Sequence, residues 1–310
     1  MIIKARRRWT GDHAGWISFL LLPPIAVMAV FVAWPLLSAL SAAFFRWHGL
    51  ARGEFVGLQN FADVLFGDHF GPITWRAFRH NIFVFAALLV VQNTAGFFLA
   101  WLIYIEPFGY RLHRTAVFLP VILSTALVGF MWKLFLDPNF GLVNQGLAWI
   151  GLGALQRPWL GQEGTALSAL VLANAWHWVG FPTLVYLAGM QRIPRDILDA
   201  AKLDGCGVWR TIRNIVWPLV APSTTVTFTL LFIGAFNWFE LPYIMAGIDG
   251  SPYGSTDVLG LYFYRTAFGN QSAGVQDFGR GNALAALMFI FIAGVATFIT
   301  LQLRKREIAL

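Results

Sequence analysis

Residues Ile193 to Pro222 read IPRDILDAAKLDGCGVWRTIRNIVWPLVAP, the most polar stretch in the C-terminal half of an otherwise apolar chain. Pro194 is suited to open a helix, because its missing N–H is one that a first turn leaves unpaired. Asp196 and Asp199 then sit near the positive helix end. Asp204-Gly205 is a stop, since glycine takes the left-handed conformation that other residues avoid. The residues beyond it predict a second helix, with Val208, Trp209, Ile212, Ile215 and Val216 on one face and Arg210, Arg213 and Asn214 on the other. Pro218 and Pro222 mark the entry to the next apolar run. The stretch is a helix–turn–helix elbow, shaped to be gripped by a partner outside the membrane.

Working outward, the 310 residues are 58% hydrophobic and only 12% charged, with 14 Trp and 29 Phe. Soluble domains carry about 25% charged residues, so this is the composition of a membrane protein. A net charge of +7 raises the question of nucleic acid. The basic residues, however, cluster at the ends of apolar runs and form no solvated stripe, so nucleic acid is not an expected partner. The single cysteine, Cys206, excludes an internal disulfide and a Cys-paired metal site. The apolar run after Lys4, Arg6, Arg7 and Arg8 is too long for a cleaved signal.

Six apolar segments have spanning length: 16–45, 81–105, 115–136, 166–190, 219–244 and 283–303. The expected fold is therefore an all-α polytopic membrane protein of six transmembrane helices. Residues 1–80 would hold the basic N-terminus, the first helix and an outer segment, and 81–305 a five-helix core containing the elbow. Pro23, Pro24 and Pro35 predict a kink or an interfacial lead-in in the first segment. With a cytosolic N-terminus, Lys4, Arg6, Arg7, Arg8, Arg111, Arg114, Arg192, Arg195, Lys202, Arg210, Arg213, Arg304, Lys305 and Arg306 fall inside. Arg46, Arg52, Arg76, Arg79, Arg157, Arg265 and Arg280 fall outside, with Lys133 near a helix end. The excess inside points both termini, and the elbow, into the cytosol.

The elbow resembles the "EAA" coupling loop of ABC-importer permeases, a Glu-Ala-Ala, then Asp-Gly-Ala, then an Ile and Leu-Pro. Here the matching residues are Asp199-Ala200-Ala201, Asp204-Gly205-Cys206, Ile215 and Trp217-Pro218. Asp199, Cys206 and Trp217 depart from the pattern, and Asp199 keeps the charge on a shorter arm. A second phrase, Trp47-His48-Gly49 with Glu54-Phe55-Val56-Gly57-Leu58-Gln59-Asn60-Phe61, resembles the segment after the first helix in the carbohydrate branch of these permeases, the maltose and glycerol-phosphate type. The resemblance implies an inner-membrane permease subunit paired with a second, related permease in a heterodimer. It also implies two nucleotide-binding ATPase subunits, an extracytoplasmic sugar-binding protein and surrounding membrane lipid. Asp199, Ala200, Ala201, Asp204, Gly205, Ile215 and Pro218 would couple to the ATPase. Asp204-Gly205 would form the corner, Asp199 a polar contact, and Ala200 and Ala201 a close-packed face.

No Gly-Lys pair exists, so no phosphate-cradling Walker loop is present, and none of the six His is followed by Glu. The chain is expected to be non-catalytic and to carry no cofactor of its own, ATP and Mg²⁺ being held by the partner ATPase subunits. Polar residues inside spans are candidates for the substrate path, because each is costly in lipid. The resemblance matches Asn237 and Glu240 to amide positions that line the sugar site of maltose-type permeases, Glu240 being a departure. It likewise matches Trp178, Thr183 and Thr125 to sugar-facing positions, with Ser124 beside them. Each side chain has a second use as a helix–helix hydrogen bond, and Glu240 a third at the outer interface. His177 and Lys133 are read as structural, the latter snorkelling outward. The outer segments 137–165 and 242–282, the second with Asp249, Asp257 and Asp277, would face the binding protein. A secondary transporter would need a coupling-ion site, yet Glu240 and Lys133 are the only charges near span interiors. A membrane enzyme would need clustered His, Asp or Glu, and none is clustered. The cargo classes left open are a sugar, a polyol, a glycerophosphodiester or a charged sugar, with Glu240 disfavouring an anion.

Overall fold

The computed structural model describes residues 11–49, 51–269 and 276–305. Lys4, Arg6, Arg7, Arg8 and Arg306 lie outside the described residues. The chain is mostly helical. Among the described residues three helices are long and apolar enough to cross a membrane: α1 (Gly15–Ala42), α3 (Phe70–Tyr104) and α14 (Phe278–Arg304). Three bent pairs pass the same test when each is counted as one span: α4 (Tyr110–Ile122) with α5 (Thr125–Phe135) at 97°, α7 (Glu163–Trp178) with α8 (Gly180–Met190) at 44°, and α10 (Val208–Leu219) with α11 (Ala221–Phe236) at 72°. Shorter elements are the hairpin β1 (Phe45–His48) and β2 (Ala51–Phe55), α2 (Gln59–Phe66), α6 (Leu142–Trp149), α9 (Arg195–Leu203), α12 (Glu240–Ala246) and α13 (Leu259–Phe268).

The first segment does not kink sharply at its prolines. It runs through as one helix of 28 residues with a π turn at Ala29–Ala33. Pro35 lacks an N–H and its ring crowds the carbonyl four residues back, and the wider turn just before it accommodates both. The phrase 54–61 is a structural joint. Glu54 pairs with Arg46 across the hairpin at 2.6 Å, and buried Asn60 donates from Nδ2 to the carbonyls of Ala43 at 2.8 Å and Phe45 at 2.9 Å. These bonds satisfy the carbonyls freed where α1 ends.

α3 begins at Phe70, eleven residues before the expected start at Asn81. Its first turns are held against α2, where Thr74 Oγ1 donates to the Val64 carbonyl at 2.8 Å. The helix therefore continues into the polar segment that composition alone reads as a loop. The fifth span ends at Phe236 rather than Ile244. Residues 237–239 leave the helix, and α12 restarts at Glu240, so that Pro242 falls in a first turn where its missing N–H costs nothing. Gly96 and Gly180 permit close packing: a Cβ at Gly96 would lie 2.8 Å from Pro182 Cγ, and one at Gly180 would lie 2.6 Å from the Val117 carbonyl.

In segment 242–282, Asp257 and Asp277 are internal clasps. Asp257 is 0% exposed and accepts from Arg265 at 2.7 and 3.2 Å, with Arg76 at 3.6 Å. Burial pushes its carboxyl above the ordinary value, against the pull of Arg265. Asp277 caps α14, and Arg280 bridges it to Asp63 at 2.8 Å.

Asn81 joins α3 to α11 and α13. Fully buried, it donates from Nδ2 to the Ala235 carbonyl at 2.6 Å and accepts at Oδ1 from the Leu259 N–H at 2.8 Å. One amide thus satisfies the end of α11 and the start of α13. Replacing Asn81 with Ala orphans both backbone groups at about 1–3 kcal/mol each. The detergent-solubilised protein is expected to melt at a clearly lower temperature, and a melting curve unchanged from the parent would contradict this role.

Candidate functional site

The elbow forms as its residues dictate, with two differences. Pro194 is the N-cap (φ −57°, ψ 132°) rather than the first helical residue, and Asp196 lies in the first turn. At the other end, Gly205 has φ +72°, its N–H bonds to the Lys202 carbonyl at 3.0 Å, and the Cys206 N–H bonds to the Ala201 carbonyl at 2.9 Å. This paired closure is a Schellman motif, which requires a left-handed residue at the glycine. A Cβ added at Gly205 would meet nothing within 4 Å, so the demand is on backbone conformation alone.

The second difference concerns the faces. Ala201 is buried while Ala200 is exposed, so within this chain only one of the two alanines packs. Ile212 and Val216 are buried and Ile215 and Pro218 half-buried, but Val208 and Trp209 are 65% and 64% exposed. Trp209 lies parallel to Phe98 at 6.4 Å instead of entering the core. Leu203 is 89% exposed beside Asp204. Asp199 accepts from Lys202 at 2.9 Å, both side chains facing solvent. The corner therefore presents bare apolar residues among charges, the composition of a surface that another protein covers. Behind it lies a cavity of about 620 Å³ touching Arg114, Asp199, Lys202 and Cys206.

A second cavity, about 540 Å³, brings together Thr125, Trp178, Asn237 and Glu240. Each stands at a break in a helix: Thr125 opens α5, Trp178 closes α7, Asn237 is the C-cap of α11, and Glu240 opens α12. Ser124 and Thr183 do not line it. Ser124 caps α5, accepting from the Leu127 N–H at 3.3 Å, and Thr183 is buried and donates to the Val179 carbonyl at 2.8 Å. Both hydroxyls are spent on backbone groups that the breaks release. His177 serves the same end, its Nε2 lying 3.1 Å from the Leu123 carbonyl at the α4–α5 corner. Lys133 is exposed in the last turn of α5.

Four further polar residues line this cavity: Gln92, Asn93, Asn174 and Thr227. Gln92 and Asn93 close the π turn Leu89–Asn93 of α3, and Asn174 Nδ2 lies 3.5 Å from Gln92 Oε1. The sign that singles out Asn237, an amide within an apolar run, applies equally to these. Trp238 also lines the wall, and its indole N–H is buried without a partner among the described residues. Among the described residues Glu240 is the only charged one of the lining. The arrangement offers amides, hydroxyls and indole faces, which suit a polyhydroxylated ligand.

Comparison with known proteins agrees with this geometry. Residues 92–306 match the family model described as binding-protein-dependent transport system inner membrane component. The chain is 31% identical over 304 residues to the sn-glycerol-3-phosphate transport system permease protein UgpA of Yersinia pseudotuberculosis, covering 96% of this chain and 97% of that one. It is 28% identical to the probable starch degradation products transport system permease protein AmyD of Thermoanaerobacterium thermosulfurigenes, covering 94% and 95%. Among solved structures, a chain of a bacterial ABC transporter involved in import of the acidic polysaccharide alginate has the same fold, with TM-score 0.78 at 22% identity over 95% of this chain and 96% of that one. The family match covers more than half of the chain, including the elbow and the cavity, and the chain belongs to the inner-membrane components of binding-protein-dependent transport systems.

Proposed function

We propose that this chain, with a second, related permease, forms the membrane path of an ATP-driven importer for a neutral sugar delivered by an external binding protein. The cavity carries this reading. Its wall combines Trp178 with Thr125, Asn237 and three more amides, and its one charge is the Glu240 carboxylate. The relatives are named for starch degradation products and for sn-glycerol-3-phosphate. A lining without Lys, Arg or His favours a neutral cargo over a phosphate ester or an acid. The chain would cross the membrane six times with both ends inside. The excess of Lys and Arg on the segments assigned to the inner side supports that orientation. The spanning window of α1 is 0% buried, which suits a helix that meets lipid and the second permease.

In this reading two ATPase subunits hold ATP and Mg²⁺, and their closure pushes on the elbow through Asp199, Ala200, Ala201, Asp204, Gly205, Ile215 and Pro218. The push rocks the helices between inward-open and outward-open states. Placing a β-branched residue at Gly205 costs about 1–2 kcal/mol in the left-handed conformation. Gly205→Val is expected to insert normally yet lose uptake and cargo-stimulated ATP hydrolysis in the reconstituted importer. Gly205→Asn, whose residue tolerates this conformation, should retain most of both. Normal uptake by Gly205→Val would sink the coupling assignment.

For the cargo, uptake by cells carrying this importer is expected to be competed by unlabelled neutral oligosaccharides and not by glycerol 3-phosphate. Competition by glycerol 3-phosphate alone would contradict the neutral-sugar reading. Removing one neutral hydrogen bond is worth about 0.5–1.5 kcal/mol, so Asn237→Ala should weaken apparent cargo affinity by roughly threefold to tenfold. Its nucleotide-dependent ATPase activity without cargo should stay at the parent level.

A further inference from the structure

A buried polar cluster lies between the cavity and the elbow. Tyr186 of α8 is 0% exposed, and its hydroxyl accepts from Asn93 Nδ2 at 3.0 Å and bonds to Thr227 Oγ1 at 3.1 Å. Thr227 Oγ1 also lies 3.2 Å from the Thr224 carbonyl. The phenol oxygen thus accepts from the Asn93 amide and from the Thr227 hydroxyl, which also has that carbonyl within reach. Asn93 and Thr227 both line the 540 Å³ cavity, so this one hydroxyl ties its wall on α3 and α11 to α8.

The other side of Tyr186 leads to the elbow. Its ring meets Phe97 edge-on at 5.4 Å and 85°, and Phe97 meets Trp217 edge-on at 5.1 Å and 74°. Trp217 is the residue that stands in place of the Leu of the family phrase. Asn93, Phe97, Tyr186 and Trp217 together line a smaller cavity of about 300 Å³ that also touches Ile212 of the elbow. Asn93 thus stands in the wall of both cavities. Each end of the path carries a π turn, Leu89–Asn93 in α3 and Ile212–Val216 in α10. Such turns interrupt the regular ladder and are common at functional sites.

We propose that Tyr186 is the positioning residue that carries movement of the coupling elbow to the cavity wall, through Trp217 and Phe97 on one side and Asn93 and Thr227 on the other. Phe97 and Tyr186 are buried and close-packed interiors compress little, so a displaced Trp217 presses edge-on against Phe97 and through it on Tyr186, and the phenol hydroxyl converts that motion into a shift of two wall residues. The proposal rests on the reading of the elbow as the ATPase contact.

The test needs no knowledge of the cargo. The assembled importer, with cysteine-free partner chains, is placed in nanodiscs and labelled with a small environment-sensitive fluorophore. Native Cys206 reports on the elbow. Gly234→Cys in a Cys206→Ser background reports on the cavity wall, where an added Cβ meets nothing within 4 Å. Trapping with ATP and vanadate is expected to shift both reporters in the parent. Tyr186→Phe, which keeps the ring and removes the hydroxyl, should keep the Cys206 shift and lose most of the Gly234→Cys shift. Thr229→Val, on α11 like Thr227, removes a comparable hydroxyl contact, 3.2 Å from Thr300 of α14, and should keep both shifts. A full Gly234→Cys shift in Tyr186→Phe overturns the proposal and leaves the elbow reading standing. A parent in which Cys206 does not respond overturns the elbow reading and the proposal with it.

Discussion

A backbone that leaves the helical ladder at membrane depth must find its partners inside the protein, and this requirement organises the rest of the structure. The chain breaks at Leu123, near Val179 and at residues 237–239. Each break is met by a side chain: His177 for the Leu123 carbonyl, Ser124 for the Leu127 N–H, Thr183 for the Val179 carbonyl, and Asn81 for the Ala235 carbonyl and the Leu259 N–H. Polar residues near the breaks that are not consumed in this way, Thr125, Asn237 and Glu240, line the 540 Å³ cavity. The cavity and the broken helices are one feature. Asn174 and Thr227 add to the same lining from unbroken stretches of helix.

The elbow works under a different constraint. Its conformation is set locally, by Pro194, by the Schellman closure around Gly205 and by the exposure of Leu203, Val208 and Trp209 that follows from the turn. Among the described residues these three stay largely exposed, Trp209 with Phe98 alongside, whereas Ile212 and Val216 root the second helix of the elbow in the bundle. The result is a firm corner on an anchored stem, suited to pass on a push.

Legibility in the sequence divides along the same line. Local chemistry could be read: the elbow, its glycine corner and the long apolar spans needed only neighbours in the chain. Tertiary chemistry could not. The start of α3 at Phe70 depends on Thr74 reaching Val64, and the end of α11 at Phe236 is completed by Asn81, 154 residues away in sequence. Asp257 reads as a solvent-facing loop aspartate until Arg265 and Arg76 are folded onto it. Within the candidate site, Thr125, Trp178, Asn237 and Glu240 do meet, while Ser124 and Thr183 turn to their own backbone. Gln92, Asn93 and Asn174 carry the same signal as Asn237, an amide within an apolar run, and no family phrase falls on them or on Thr227.

The central claim is that the elbow is where an ATPase grips this permease. The direct measurement is mild purification of the chain from its native membrane, with mass identification of the proteins that travel with it, for the parent and for an Asp199→Lys, Gly205→Val double variant. The account predicts a nucleotide-binding subunit and a second permease with the parent, and loss of the nucleotide-binding subunit alone in the variant. A well-folded parent that travels without any nucleotide-binding subunit would contradict it.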